Sequence, residues 1–174
     1  MELTIKSTTL FIAILLTGLS AGLFYAWEVS VITGTKRISD QSYLEVMQSI
    51  NREILNVRFY LIFFGSLIGL IIGSYLQYRI GITPVFLLMT AAMLSYLIGT
   101  FGVTVFGNVP LNEALDVLNL SEMNQEMSKE TRIYFEGKWN RWHTVRTVFS
   151  VLAFLLALLA SFLEKNDLAL VETP

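Results

Sequence analysis

Charged residues divide this chain into four long uncharged, mainly apolar runs. There are 21 residues without a charge between Lys6 and Glu28, 20 between Arg58 and Arg79, 33 between Arg79 and Glu113, and 17 between Arg146 and Glu164. About 20 such residues carry an α-helix across the hydrocarbon core of a bilayer. The pattern predicts an all-α integral membrane protein, an up-down-up-down four-helix bundle forming one domain over 1–174. The expected spans are about 8–31, 59–78, 84–106 and 144–163. The last run is short for a bilayer, so its helix is expected to continue upstream through Arg146 and His143. Glu2 beside Lys6, and the lack of a small-residue cleavage site, make the first run a retained helix rather than a signal peptide.

Small residues cluster inside these runs: Gly18, Ser20, Ala21 and Gly22 in the first, Gly65, Ser66, Gly69 and Gly73 in the second. On membrane helices such residues admit a neighbouring backbone. The short turn at about 79–83 makes the second and third helices antiparallel neighbours, with Pro84 at a first helical turn. Gly107 and Pro110 are expected to end the third helix, and Gly137 to provide a hinge before the fourth.

The two connecting segments read as short amphipathic helices capping one end of the bundle. Ser42-Tyr43-Leu44-Glu45 matches a capping box. Leu44, Met47, Ile54 and Leu55 then share a helical face with Asn51 and Arg58. Asn119-Leu120-Ser121-Glu122 offers a second helix start. Nine basic residues (Lys36, Arg37, Arg52, Arg58, Lys129, Arg132, Lys138, Arg141, Arg146) fall on the cap side and three (Lys6, Arg79, Lys165) on the other. The excess of positive charge predicts a cytoplasmic cap.

Composition narrows the function classes. A hydrophobic fraction of 54% fits a chain whose main partner is the lipid bilayer, and a net charge of −2 argues against nucleic acid. With one histidine and no cysteine there is no thiol redox site, no two-histidine haem site and no metal-ligand spacing, so neither metal nor cofactor is expected. The sequence does not address oligomeric state.

Ionisable groups at membrane depth normally face the bundle interior and find a partner. Glu28 lies near the cap end of the first helix, one turn after Phe24 and Tyr25. Arg58 opens the second helix, and Asn108 and Asn112 flank Pro110. Trp139, His143 and Arg146, spaced i, i+4 and i+7, form one stripe entering the fourth helix. In an up-down bundle all of these arrive at the same end and converge beneath the cap. Each also has a plain structural role open to it: an ion pair of Glu28 with Arg58 or Arg146, backbone caps from the asparagines, an interfacial belt from the tryptophans.

Four blocks occur in order: Gly22-Leu23-Phe24-Tyr25-Ala26-Trp27, Met47-Gln48-Ser49-Ile50-Asn51, Asn108-Val109-Pro110-Leu111-Asn112, and Trp139-Asn140-Arg141-Trp142-His143-Thr144-Val145-Arg146-Thr147. In these blocks the chain resembles the anthrone oxygenase family of small four-helix membrane proteins. The resemblance implies oxidation of an anthrone to an anthraquinone by dioxygen, without a recognised metal or flavin. It implies His143 as a base tuned by Glu28, with Arg146, Asn108 and Asn112 steadying an anionic oxygen. Trp27, Trp139 and Tyr25 would wall the ligand, and Asn51 and Arg58 would complete its surroundings. Two further readings stand beside the enzyme: a protein that binds a small hydrophobic or aromatic ligand without chemistry, and a structural or accessory subunit with no cavity.

Overall fold

The computed structural model describes residues 4–171, with side chains up to Glu164. Glu2 and the Lys165 side chain, used in reading the first helix and the charge balance, lie outside the described residues. The described chain is helical, without a strand. Four helices are long and apolar enough to cross a membrane: α1 (Ile5–Thr35), α3 (Val57–Tyr78), α4 (Pro84–Asp116), and α5 (Gln125–Val171), the last over Gln125–Glu164. A fifth, α2 (Asp40–Glu53), lies in the first connection.

Local chemistry sets most boundaries. The Thr4 side chain accepts from Ser7 N–H in a capping box that starts α1. Asn56 Oδ1 accepts from the Arg58 and Phe59 amides at 3.0 and 3.1 Å and opens α3. Thr83 caps α4 with Pro84 in its first turn, as expected. The capping box anticipated at Ser42 does not form; the helix starts one turn earlier, with Ser39 as a simple cap whose hydroxyl accepts from Ser42 N–H. The helix start read at Asn119 is only a three-residue 3-10 turn, Leu120–Glu122. Asn124 Oδ1, accepting from Met127 N–H at 2.9 Å, then opens α5.

Two expected breaks are absent. α4 continues through Gly107 and Pro110, because Ser95–Gly102 and Thr104–Asn108 are wound as π-helix and α-winding resumes at Val109. The change of winding falls beside Pro110, which lies in the first turn of the resumed α-winding. Gly137 makes no hinge either. It lies inside a continuous 47-residue helix, where one exposed glycine costs only about 1 kcal/mol. The fourth helix therefore begins well upstream of the expected 144, and the first runs past the expected 31 through another π-stretch, Trp27–Val31.

The four long helices form a ring in which α1 packs on α3 and α5, and α4 also packs on α3 and α5. At Gly69 a Cβ would sit 3.2 Å from Ala13 Cα, so glycine there permits the close crossing of α3 on α1. The bundle core is built of small and medium side chains, Ala13, Leu70, Met89, Ala92 and Ala153 among them. The outward faces carry exposed Phe11, Ile68, Ile98, Leu152 and Phe162. An apolar surface of that extent suits lipid rather than water.

A second core joins α2 to α5 and the end of α4 through Tyr43, Leu44, Met47, Leu115, Phe135 and Trp139. Polar bonds pin α2 along its length. Gln41 Nε2 donates to the Leu120 carbonyl at 2.8 Å, and Gln48 Nε2 to the Leu115 and Leu118 carbonyls at 2.8 and 3.1 Å. Arg132 reaches Asp40 at 3.0 Å and lies over the Tyr43 ring. Burial, with Glu136 nearby, pushes the Tyr43 phenol well above its ordinary pKa. Leu44 and Met47 are buried as expected, whereas Leu55 is 61% exposed because α2 stops at Glu53, before reaching it.

Candidate functional site

The stripe on α5 forms as its spacing requires. Trp139 and His143 stack nearly parallel, 8° apart with ring centroids separated by 4.9 Å. Arg146 curls back one turn, and its Nε and Nη2 lie 3.1 and 2.9 Å from His143 Nδ1. A guanidinium can only donate, so Nδ1 accepts and Nε2 carries the ring proton. That Nε2–H points at the Phe24 carbonyl, 3.1 Å away on α1. His143 is fully buried and Arg146 nearly so.

The buried guanidinium keeps unusual company. Its side-chain hydrogen bonds go only to His143, and among the described residues no carboxylate lies within ion-pairing distance of it. Aromatic faces surround it instead, with its central carbon 4.6 Å from the Phe24 ring centroid and 5.1 Å from that of Trp139. The expected pairing of Glu28 with Arg58 or Arg146 does not form. Glu28 Oε1 accepts from the Thr144 hydroxyl at 2.8 Å, while Oε2 lies 3.6 Å from His143 Nε2, buried and without a hydrogen bond.

A cavity of about 110 Å³ opens against this group. Trp27, Phe24 and Phe59 supply aromatic walls, Trp139, His143 and Arg146 one side, and Asn51 and Asn112 polar edges. Asn112 Oδ1 accepts from Trp139 Nε1 at 2.8 Å and so holds the indole in place. Asn108 stands behind the cavity rather than in it. It is fully buried, donates to the Trp139 carbonyl at 3.2 Å, and leaves its own Oδ1 without a partner.

Two expected residues sit elsewhere. Tyr25 is 58% exposed on the outer face of α1, and Arg58 is exposed in the first turn of α3; neither lines the cavity. Arg58 lost its place because the chain breaks helix at 54–56, so α2 does not carry it. The structure adds Phe24, Phe59, Ile54 and Thr104 to the lining. Phe24 follows from helical arithmetic, since Trp27 is i+3 from it, whereas Trp27 is only i+2 from Tyr25 and so points to a different face. Thr104 had no such signal, because its position depends on the π-winding of α4.

A family profile described as anthrone oxygenase matches residues 58–156, more than half of the chain. The chain belongs to the anthrone oxygenase family. No curated protein and no solved structure matches it. The anthrone oxygenase segment contributes Asn108, Asn112, Trp139, His143 and Arg146 to the site, while Phe24, Trp27, Glu28 and Asn51 come from the preceding residues. Among the described residues no three His, Cys, Asp or Glu side chains gather as a metal site would require.

Proposed function

We propose that this chain is a multi-pass membrane oxygenase that oxidises a phenolic, polycyclic small molecule with dioxygen, without a cofactor, in the cavity beneath its cap. The observation that carries the proposal is Arg146: a buried guanidinium with no carboxylate partner, facing a cavity walled by aromatic rings. A buried charge left unpaired is expensive. An anionic oxygen on a flat aromatic ligand would supply the missing charge and match the walls. Family membership supports the same reading.

The reaction of an anthrone balances with dioxygen alone. The ring CH2 becomes C=O, one oxygen atom stays on carbon, and the other leaves as water with the two hydrogens. Removing a proton from that CH2 gives a carbanion whose charge delocalises onto the existing carbonyl oxygen, and this electron-rich anion passes an electron to dioxygen. Recombination forms a carbon-bound peroxide, and loss of water from it gives the second carbonyl.

The residues offer a matching division of labour. When the guanidinium of Arg146 turns from His143 Nδ1 to the developing oxyanion, it frees the lone pair that takes the proton. The imidazolium formed has Glu28 Oε2 3.6 Å from Nε2 to stabilise it. Asn112 acts through Trp139, holding the wall, and Asn108 ties α4 to α5 behind it.

Oxygen uptake by the purified protein in detergent, given emodin anthrone, tests the proposal. Uptake above the spontaneous rate should vanish in Arg146→Ala and fall strongly in His143→Asn. Rates equal to the protein-free control in all three overturn it. A second reading, ligand binding without chemistry, draws on the engagement of His143 Nδ1 by Arg146. It predicts saturable binding in His143→Asn with no uptake in any form.

A further inference from the structure

The cavity at Arg146 does not end at its own walls. A second chamber of about 210 Å³ adjoins it, running outward between the end of α2 and the end of α4. Asn51, Leu55 and Asn112 line both chambers, so the two meet at these side chains, a boundary termed the neck. The inner chamber alone falls below the ~300 Å³ typical of small-molecule sites. A tricyclic ligand anchored at Arg146 needs more room than the inner chamber holds, and the outer chamber is the space that adjoins it at the neck.

One polar atom at that neck is unaccounted for. Asn51 Nδ2 is buried and has no hydrogen-bond partner. An unmade bond at a buried donor is costly, so such groups are rarely left without reason. The helix that carries it is fastened on both sides of this position. Gln48, one turn before, is bonded to two carbonyls of the facing segment, and the neighbouring Arg52 pairs with Asp116 of α4 across the outer chamber. The backbone bearing the donor is thus fixed by the same bonds that fasten the cap.

We propose that Asn51 is a specificity residue: its amide N–H donates to a carbonyl or phenolic oxygen on an elongated aromatic ligand whose anionic oxygen sits at Arg146. The inference deepens the reading of the Arg146 cavity and names the ligand class more narrowly, as a planar polycycle carrying two separated oxygens. One oxygen bears charge and is held in the inner chamber. The other is neutral and is read at the neck.

Two probes separate the contacts. 2-Hydroxyanthraquinone carries an ionisable phenol and ring carbonyls, whereas 2-anthrol carries the phenol alone. Calorimetric titration of the full chain in detergent, corrected for empty micelles, measures both. Replacing Asn51 by leucine should weaken 2-hydroxyanthraquinone about tenfold, the loss of one hydrogen bond at a buried donor, and change 2-anthrol by less than twofold. Asn51→Asp keeps the shape but replaces the donor with a carboxylate, so it should weaken the quinone at least as much as leucine does and more than it weakens 2-anthrol; its thermal unfolding, set beside that of the wild type, identifies loss of fold. Arg146→Gln should weaken both probes.

Equal losses for the two probes in either Asn51 variant would make the residue a packing group and overturn the proposal. So would no loss, which would leave water as the partner of Nδ2, or no saturable binding of the quinone to the wild type. Oxygen uptake is scored separately. If the Asn51 pattern appears without uptake, the oxygenase reading alone fails; if uptake proceeds without the pattern, the specificity role alone fails.

Discussion

Replacing Arg146 by methionine should make the protein more stable while abolishing ligand binding. The balance follows from the surroundings of the side chain. The loss includes two hydrogen bonds to His143, at 2.9 and 3.1 Å, and two contacts with aromatic faces. The bonds share one neutral acceptor, so leaving it unmet costs about 1–3 kcal/mol, and the cation–π contacts add about 0.5–1 kcal/mol each. Against this stands the desolvation of a guanidinium that makes no ion pair and is offset only at longer range, by Glu28, several kcal/mol even after relaxation. Methionine fills much of the same volume and adapts to irregular space. The net expectation is a gain of ~2 kcal/mol, or about 4–8 °C in Tm for a chain of this size. Thermal unfolding in detergent, followed by tryptophan fluorescence, measures it, and titration with 2-hydroxyanthraquinone on the same sample should show no saturable binding. A Tm lowered by several degrees would refute the reasoning. It would mean that the guanidinium is held as a structural group, and the case for a binding site built around it would go.

Three further outcomes are expected. Asn112→Ala leaves Trp139 Nε1 without its 2.8 Å acceptor and should destabilise the protein by about 1–3 kcal/mol; in a Trp139→Phe background the same change should cost clearly less, which a double-mutant cycle of Tm values checks. Glu28→Gln can still accept from Thr144 but loses the charge beside His143, so oxygen uptake at saturating substrate should fall at least tenfold while probe affinity stays within twofold. Gly99→Ala would set a Cβ 2.0 Å from Phe149 Cγ and should destabilise the α4–α5 contact by about 1–3 kcal/mol, with Tm partly restored by Phe149→Leu.

The bundle was legible because a bilayer demands long apolar helices, and the four uncharged runs supply little else. The meeting of Trp139, His143, Arg146, Glu28 and Asn112 was legible for a related reason: polar groups at similar depth on an up-down bundle have few places to go. The errors came from positions where the helix was not ideal. Pro110 and Gly137 are breakers by propensity, yet one falls at a change of winding and the other on an exposed face of a long helix. Arg58 shares a face with Leu44 and Met47 only if helical winding runs on past Glu53, and the cap at Asn56 starts a new helix instead. The resemblance implies Tyr25 as a wall, yet it is Phe24, one turn before Trp27, that lines the cavity. The orphaned Asn51 amide, the neck it lines and the engagement of His143 by Arg146 depend on tertiary placement, for which sequence periodicity carries no signal.

The π-wound stretches have a consequence for the history of the chain. A π-turn holds one residue more than the α-turn it replaces, and it confines that extra residue to a local widening. Loss of a single residue within Trp27–Val31 or Thr104–Asn108 can thus return the turn to α-winding without rotating the rest of the helix and exchanging its lipid-facing and core-facing sides. A relative one residue shorter at such a turn would carry its gap inside helix α1 or α4, beside Glu28 or Asn108, and would keep both ends of that helix on the same faces.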